Sequence, residues 1–202
     1  GVDPEPEMLA EADRQARERA VTNVRWIRGD SADLPGDLGH FRLVTMGRSF
    51  HWMDREEVLA ALDNMVDRNG CLIIANDSCL VRPVTPWQQA IEEVQRSFLT
   101  ADQHGHTLAT DSGLTHEQVL ANSAFPQVNR QVYQFTRPWT IEQAIGYLYS
   151  TSLPLRRLLG DRQAAFEEAI TDTLLAIEPS GRFIEPVALE VFTATRNQSG
   201  PL

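Results

Sequence analysis

The sequence predicts an α/β fold with a doubly wound, mostly parallel sheet. Two observations carry that prediction. Strand-length apolar runs alternate with segments of helical periodicity over the first 77 residues, and a mainly helical region then separates the last two strands, which no short hairpin turn joins. Such alternation places strands in parallel and packs helices on the sheet faces.

The elements follow in order. Val2 reads as the end of a strand with Asp3 at its corner, and Pro4 and Pro6 frame Met8, Leu9, Ala12 and Ala16 at helical spacing. Pro6 suits a first helical turn, where the missing N–H has no partner in any case, so a helix is expected over 6–20. "VRWIRGD" is a short strand with Val24, Trp26 and Arg28 on one face and Arg25 and Ile27 on the other, and "SADLPGDLGH" is a loop. "FRLVTMG" is an apolar strand. Residues 54–67 form a helix with Val58, Leu59, Leu62, Met65 and Val66 on one side and Asp54 and Glu57 as a capping pair. Arg68-Asn69-Gly70 stops that helix, and "CLIIAND" is a buried strand.

The pattern changes after Ser78. Helices are expected over 86–99, 115–122, 141–152 and 162–177, and strands over 127–136 and 183–195, with "ADQHGHTLATDSG" as a polar loop. Thr115 with Gln118 and Thr140 with Gln143 are capping boxes. Both late strands are expected to join the sheet, with segments 79–126 and 137–182 forming a helical cover over its ligand edge inside one domain spanning residues 1–202.

Composition narrows the function. The chain has 202 residues, 42% hydrophobic and 23% charged, enough for a substantial core and unlike a disordered segment. A net charge of -10 leaves no basic stripe for phosphates, so nucleic acid is not expected as a partner. Cys71 and Cys79 are the two cysteines and form no C-x-x-C, which suits a reducing, cytoplasmic setting. No run approaches the roughly 20 apolar residues of a membrane span, and the first 20 residues are too acidic for a secretion signal.

The candidate site lies at the strand ends. In doubly wound sheets ligands sit beyond the carboxyl ends of the strands. Asp3 there can accept two hydrogen bonds from a ribose diol, although an aspartate before proline is also an ordinary turn residue. "RGDSADLP" puts Asp30 past the next strand, where its carboxylate can accept from an exocyclic amine and the Ser31 N–H can reach a ring nitrogen. "MGRSFHWMD" puts a small-residue turn and then Phe50, His51 and Trp52 past the following one. A ribose acceptor, an adenine-edge reader and an apolar wall together describe an adenosine pocket.

"GVDPEPEML", "NVRWIRGDSADLP", "FRLVTMGRSFHWMD" and "RNGCLIIAND", in that order, resemble the class I S-adenosylmethionine-dependent methyltransferases. The likeness is to the small-molecule group similar to ubiquinone-biosynthesis and trans-aconitate methyltransferases, and "YLYSTS" with "FIEPVALEVFTATR" resembles its tail. The resemblance implies a Rossmann-like sheet with an antiparallel last strand and a cover inserted after the fifth strand. It implies S-adenosylmethionine as cofactor, held by Asp3, Pro4, Met8, Asp30, Ser31, Ala32, Gly47, Arg48 and Phe50. Trp52, His104, Tyr147 and Tyr149 are the implied acceptor-side residues, and no metal is expected. Arg48 stands where the family usually has a small residue or an amide, so a guanidinium either faces a carboxylate-bearing substrate or points to solvent.

The family's glycine-rich G-x-G-x-G loop is not in this sequence. A first strand, that loop and a helix, roughly 30 residues, are therefore expected to precede Gly1. Without them an open sheet edge should pair, as in a homodimer, and the chain as given should bind cofactor weakly and be inactive. Methyl transfer from a sulfonium needs positioning above all, and a general base only for an acceptor that must lose a proton. His51 is the candidate base, with packing between Phe50 and Trp52 as the alternative. His104 and His106, at i, i+2 spacing with His116 nearby in sequence, lack a second Cys/His pair and read as solvated loop rather than a zinc site. Tyr149 shares an apolar face with Ile145, which favours core packing. Two other functions remain: a nicotinamide dehydrogenase, which also has an acid after its second strand, and a binding module without chemistry.

Overall fold

A computed structural model describes residues 1–77, 84–99, 113–151 and 155–197. The strands are β1 (Val2–Asp3), β2 (Ile27–Arg28), β3 (Phe41–Gly47), β4 (Val66–Asn76), β5 (Gln127–Thr140) and β6 (Arg182–Thr195). The helices among the described residues are α1 (Pro6–Glu18), α2 (Arg55–Asp63), α3 (Pro86–Phe98), α4 (His116–Ala121), α5 (Ile141–Tyr149), α6 (Leu155–Leu159) and α7 (Gln163–Ile177).

Strand pairing supports the mixed, mostly parallel architecture and corrects its continuity. β1 pairs with β2 in parallel, Asp3 opposite Arg28, and β3 pairs with β4 in parallel, Gly47 opposite Ala75. These pairs belong to different sheets: β1-β2 stand alone, and the other four run β3-β4-β6-β5. No described strand joins the two ladders, so β3 has a hydrogen-bonded neighbour on one side only and Leu43 is 46% exposed. The bonds Gln127–Asn197 and Trp139–Glu185 run in opposite senses along β5 and β6, the mark of antiparallel neighbours.

The chain divides into two compact units: residues 1–75, 110–130 and 192–202, and residues 76–109 and 131–191. Each has its own core. In the first, Met46, Leu72 and Ile74 pack with Val58, Leu59 and Leu62 of α2 and with Leu120, Phe125 and Phe192. In the second, Trp87 and Ile91 of α3 pack with Phe166, Ile170 and Leu174 of α7 and with Trp139 and Phe183. Residues 113–126, expected in the cover, belong with the first unit's core.

Local signals explain most boundaries. Thr85, Thr115 and Thr140 each cap a helix reciprocally with a glutamine three residues on, and the first of these boxes has no counterpart in the sequence reading. Asp54 accepts from the Glu57 N–H at 3.1 Å, one half of the expected pair. The expected 54–67 helix ends at Asp63 with Asn64 as its C-cap, and Met65 and Val66 are buried where β4 begins. A short apolar run satisfies helix and strand periods alike, and here the β3 ladder decides. The register jumps from Phe41–Val66 to Leu43–Cys71, so residues 67–70 bulge. Gly70 permits that bulge: a Cβ there would lie 2.7 Å from Val66 Cγ1 and 2.8 Å from the Arg42 carbonyl oxygen.

Three further differences stand out. The "VRWIRGD" strand shrinks to Ile27–Arg28, β5 runs on to Thr140, and α6 lies in a stretch without a predicted helix. α1 is helical as expected, yet it fully buries no residue and Met8 is 43% exposed.

Candidate active site

The site is built on the first unit. Parallel pairing brings the carboxyl ends of β1 and β2 side by side, where the Gly29 N–H donates to the Asp3 carbonyl oxygen at 3.2 Å. Asp3 and Asp30 therefore follow adjacent strands at the same end. Asp3 Oδ1 accepts from the Glu5 N–H at 2.9 Å, the turn contact expected of an aspartate before proline, and this uses one of its two oxygens.

Asp30 is bonded more completely. It caps the 3-10 turn Ser31–Asp33: its Oδ1 accepts from the Ala32 N–H and the Ser31 hydroxyl, each at 3.1 Å, while its own N–H donates to Asp33 Oδ2 at 3.0 Å. The Ala32 N–H first, and the Ser31 hydroxyl next, hold the Asp30 carboxyl below the usual range. Asp30 is thus an anion with a fixed orientation, able to accept from a ligand N–H through its remaining lone pairs. Pro4, Met8 and Ala32 are exposed around these two corners, and Ser31 is half-buried.

The third corner follows β3. Among the described residues nothing lies within 4 Å of where a Cβ would sit on Gly47, which suits close approach of a ligand to that strand end. Arg48 then adopts a left-handed backbone, φ 54°, with its N–H donating to the Ala75 carbonyl oxygen at 2.9 Å. A side-chain-bearing residue in that region costs energy that the surroundings must supply, and such residues concentrate at functional sites.

Residues Phe50–Trp52 form a 3-10 turn after that corner. His51 is half-buried and its ring stacks on Trp52 with centroids 4.8 Å apart. Burial first, and the nearby Arg48 charge second, lower the His51 pKa from 6.5. Trp52 is 49% exposed, whereas Phe50 is 1% exposed. The expectation that Phe50 walls the pocket is corrected: its ring packs 5.3 Å from that of His116 in the core and anchors the turn. The sequence places His116 in the first turn of the 115–122 helix, and nothing in local spacing marks a histidine that stacks on aromatics distant in the chain.

The remaining candidates lie elsewhere. Tyr147 and Tyr149 belong to the second unit. Tyr147 meets Trp139 edge to face, and Tyr149 donates its hydroxyl to Glu167 at 2.9 Å beneath the Arg156 guanidinium. Burial first, and the bond to Glu167 next, push the Tyr149 hydroxyl up to about 12, as suits a packing residue. His104, His106 and Cys79 fall outside the described residues. A shallow cleft of about 460 Å³, lined by His40, Asp63, Asn64, Val66, Asp67, Arg68 and Arg196, lies at the amino ends of β3 and β4, opposite the corners above. No described helix is long and apolar enough to cross a membrane.

Comparison with known proteins bears on the family of the first 70 residues and on the fold. Residues 1–70, which carry all three corners, match the family model described as a methyltransferase domain. Among solved structures, a candidate type II methyltransferase from Anaeromyxobacter dehalogenans aligns with a TM-score of 0.51 at 15% identity, over 96% of this chain and 78% of that one. A candidate methyltransferase from Bacillus halodurans aligns with a TM-score of 0.50 at 14% identity, over 96% and 80%. The YcgJ protein of Bacillus subtilis gives 0.50 at 14% identity, over 98% and 82%. No curated protein sequence matches. The chain resembles class I S-adenosylmethionine-dependent methyltransferases in sequence over its first third and in its Rossmann-like fold.

Proposed function

We propose that this protein transfers a methyl group from S-adenosylmethionine to an oxygen or carbon atom of a small, carboxylate-bearing acceptor. The observation that carries the reading is the parallel β1–β2 pair, with Asp3 and Asp30 after neighbouring strand ends inside the segment that matches the methyltransferase model. Asp3 would accept from the ribose hydroxyls, Asp30 from the adenine amine, and the Ser31 N–H would reach the adenine ring. Gly47, with nothing among the described residues near the place of its Cβ, fits close approach of the cofactor, and Pro4, Met8 and Ala32 would flank it. When bound, S-adenosylmethionine supplies an electrophilic methyl on a sulfonium. The residues of the chain orient the acceptor and keep water out, because charge is lost along the displacement and a drier site favours it.

Arg48 supports the choice of acceptor, since a guanidinium at a strand-end corner pairs well with a carboxylate. The net charge of -10 argues against nucleic acid as acceptor, and two cysteines without a disulfide framework support a cytoplasmic setting. Calorimetric titration of the full-length protein with S-adenosylmethionine and, separately, with NAD tests the reading. Heat with the first and none with the second is expected. The reverse would replace it with a dehydrogenase, and silence with both would leave a binding module for something else.

His51 would take the acceptor proton where the acceptor is a hydroxyl. Its lowered pKa keeps the imidazole neutral, and hence basic, down to a pH below 6.5. The acid limb of the kcat profile is therefore expected below 6.5 and absent in His51→Ala, which should lose about a hundredfold in kcat. Stability shares the sign: between the folded-state pKa and 6.5 the unfolded chain binds more protons, so the protein loses stability as pH falls through that window. An acid limb above 6.5, or full activity in His51→Ala, would remove His51 from the chemistry.

A further inference from the structure

The turn that carries His51 and Trp52 is held from behind by a second histidine. Arg55 opens α2, three residues after Trp52, and its Nη1 donates to the Leu114 carbonyl oxygen at 2.9 Å. The same nitrogen lies 3.4 Å from Nδ1 of His116. A guanidinium only donates, so Nδ1 is the accepting atom of this contact. The His116 ring is tilted on Phe50, with centroids 5.3 Å apart, and meets Phe192 edge to face at 6.3 Å. Phe50 and Phe192 are both buried, at 1% and 5% exposure. One imidazole thus ties the 50–52 turn and the start of α2 to the start of α4 and the end of β6, all within the first unit.

We propose that Arg55 and His116 are positioning residues for the 50–52 turn, His116 accepting from Arg55 and locking Phe50 in the core, which fixes where His51 and Trp52 stand. The polarity follows from the donors. A guanidinium cannot accept, so the contact draws on the Nδ1 lone pair. The ring cannot be replaced by bulk alone: phenylalanine would keep the stacking and lose the acceptor, whereas asparagine would lose the ring and keep an oxygen near the place of Nδ1.

The consequence for catalysis rests on the methyltransferase reading, but the placement of His51 does not, and the test keeps the two apart. In the full-length protein, histidine NMR titration of His51 is compared across wild type, His116→Phe, His116→Asn and Arg55→Met. His116→Phe and Arg55→Met should move the His51 titration up toward 6.5 as the turn loosens and its burial is lost; His116→Asn should restore much of the wild-type value. With the acceptor in hand, kcat should fall about tenfold in the first two variants with little change in S-adenosylmethionine affinity. An unmoved His51 titration in Arg55→Met, which leaves the His116 ring in place should the phenylalanine variant fail to fold, would overturn the proposal. If S-adenosylmethionine does not bind while the titration still moves, the function reading falls and the positioning role stands.

Discussion

Replacing Asp3 by alanine is expected to weaken S-adenosylmethionine binding about thirtyfold. A carboxylate accepting from a ribose diol makes charge-assisted bonds worth roughly 2 kcal/mol together once desolvation is offset, and a tenfold change in Kd corresponds to about 1.4 kcal/mol. Asp3 can act this way because its backbone is fixed before any ligand arrives: it pairs with Arg28 in the β1–β2 ladder, and its carbonyl receives the Gly29 N–H. The folded state loses only the Asx contact to the Glu5 N–H, about 1 kcal/mol, so a thermal melt by circular dichroism should shift by a few degrees at most. Asp3→Asn should fall between, since the amide keeps one acceptor. Calorimetric titration of full-length wild type and both variants reads the effect directly. An unchanged Kd in Asp3→Ala would take the ribose away from this corner.

The second large effect concerns stability in the other unit. Glu185 of β6 is 3% exposed, and among the described residues its carboxylate accepts from Trp139 Nε1 at 2.8 Å, Arg137 Nη1 at 3.3 Å and Gln88 Nε2 at 3.3 Å. One buried anion thus ties β5, β6 and α3 together. Glu185→Ala is expected to cost about 3 kcal/mol, because it strips buried donors of their acceptor and opens a cavity. Arg137 retains Asp77 at 2.7 Å and is partly exposed, which keeps the cost at the low end for a broken buried pair. Urea unfolding followed by tryptophan emission measures it, since Trp87 and Trp139 both lie in this core. Glu185→Gln, which preserves an acceptor, should cost less, and a wild-type midpoint in Glu185→Ala would show that the cluster contributes nothing net.

Glu185 also shows why part of this protein was illegible in its sequence. In "FIEPVALEVF" it alternates onto the same face as Phe183 and Val187, and the donors that make its burial tolerable lie 46, 48 and 97 positions away. Phe50 and His116 repeat the lesson. Its place after a strand end assigns Phe50 to a pocket wall, and nothing in the spacing gives His116 a partner; the two rings meet because elements 66 positions apart pack together. The span of α2 failed for a different reason: Met65 and Val66 satisfy both helical and strand periods, and the choice rests on the β3 ladder, which no local window contains.

What the sequence by itself determined is local. Helix starts at Thr115 and Thr140 follow from capping boxes, the β3 span Phe41–Gly47 from its apolar run, and the acidic corners Asp3 and Asp30 from their place after strand ends, because each depends on neighbours within a few residues. The tertiary structure alone decided that β1–β2 forms a ladder separate from β3-β4-β6-β5, that two cores form, and which polar side chains are enclosed. Strand pairing and burial are settled between segments far apart in the chain, by which backbone edges and apolar faces meet, and periodicity carries no record of that choice.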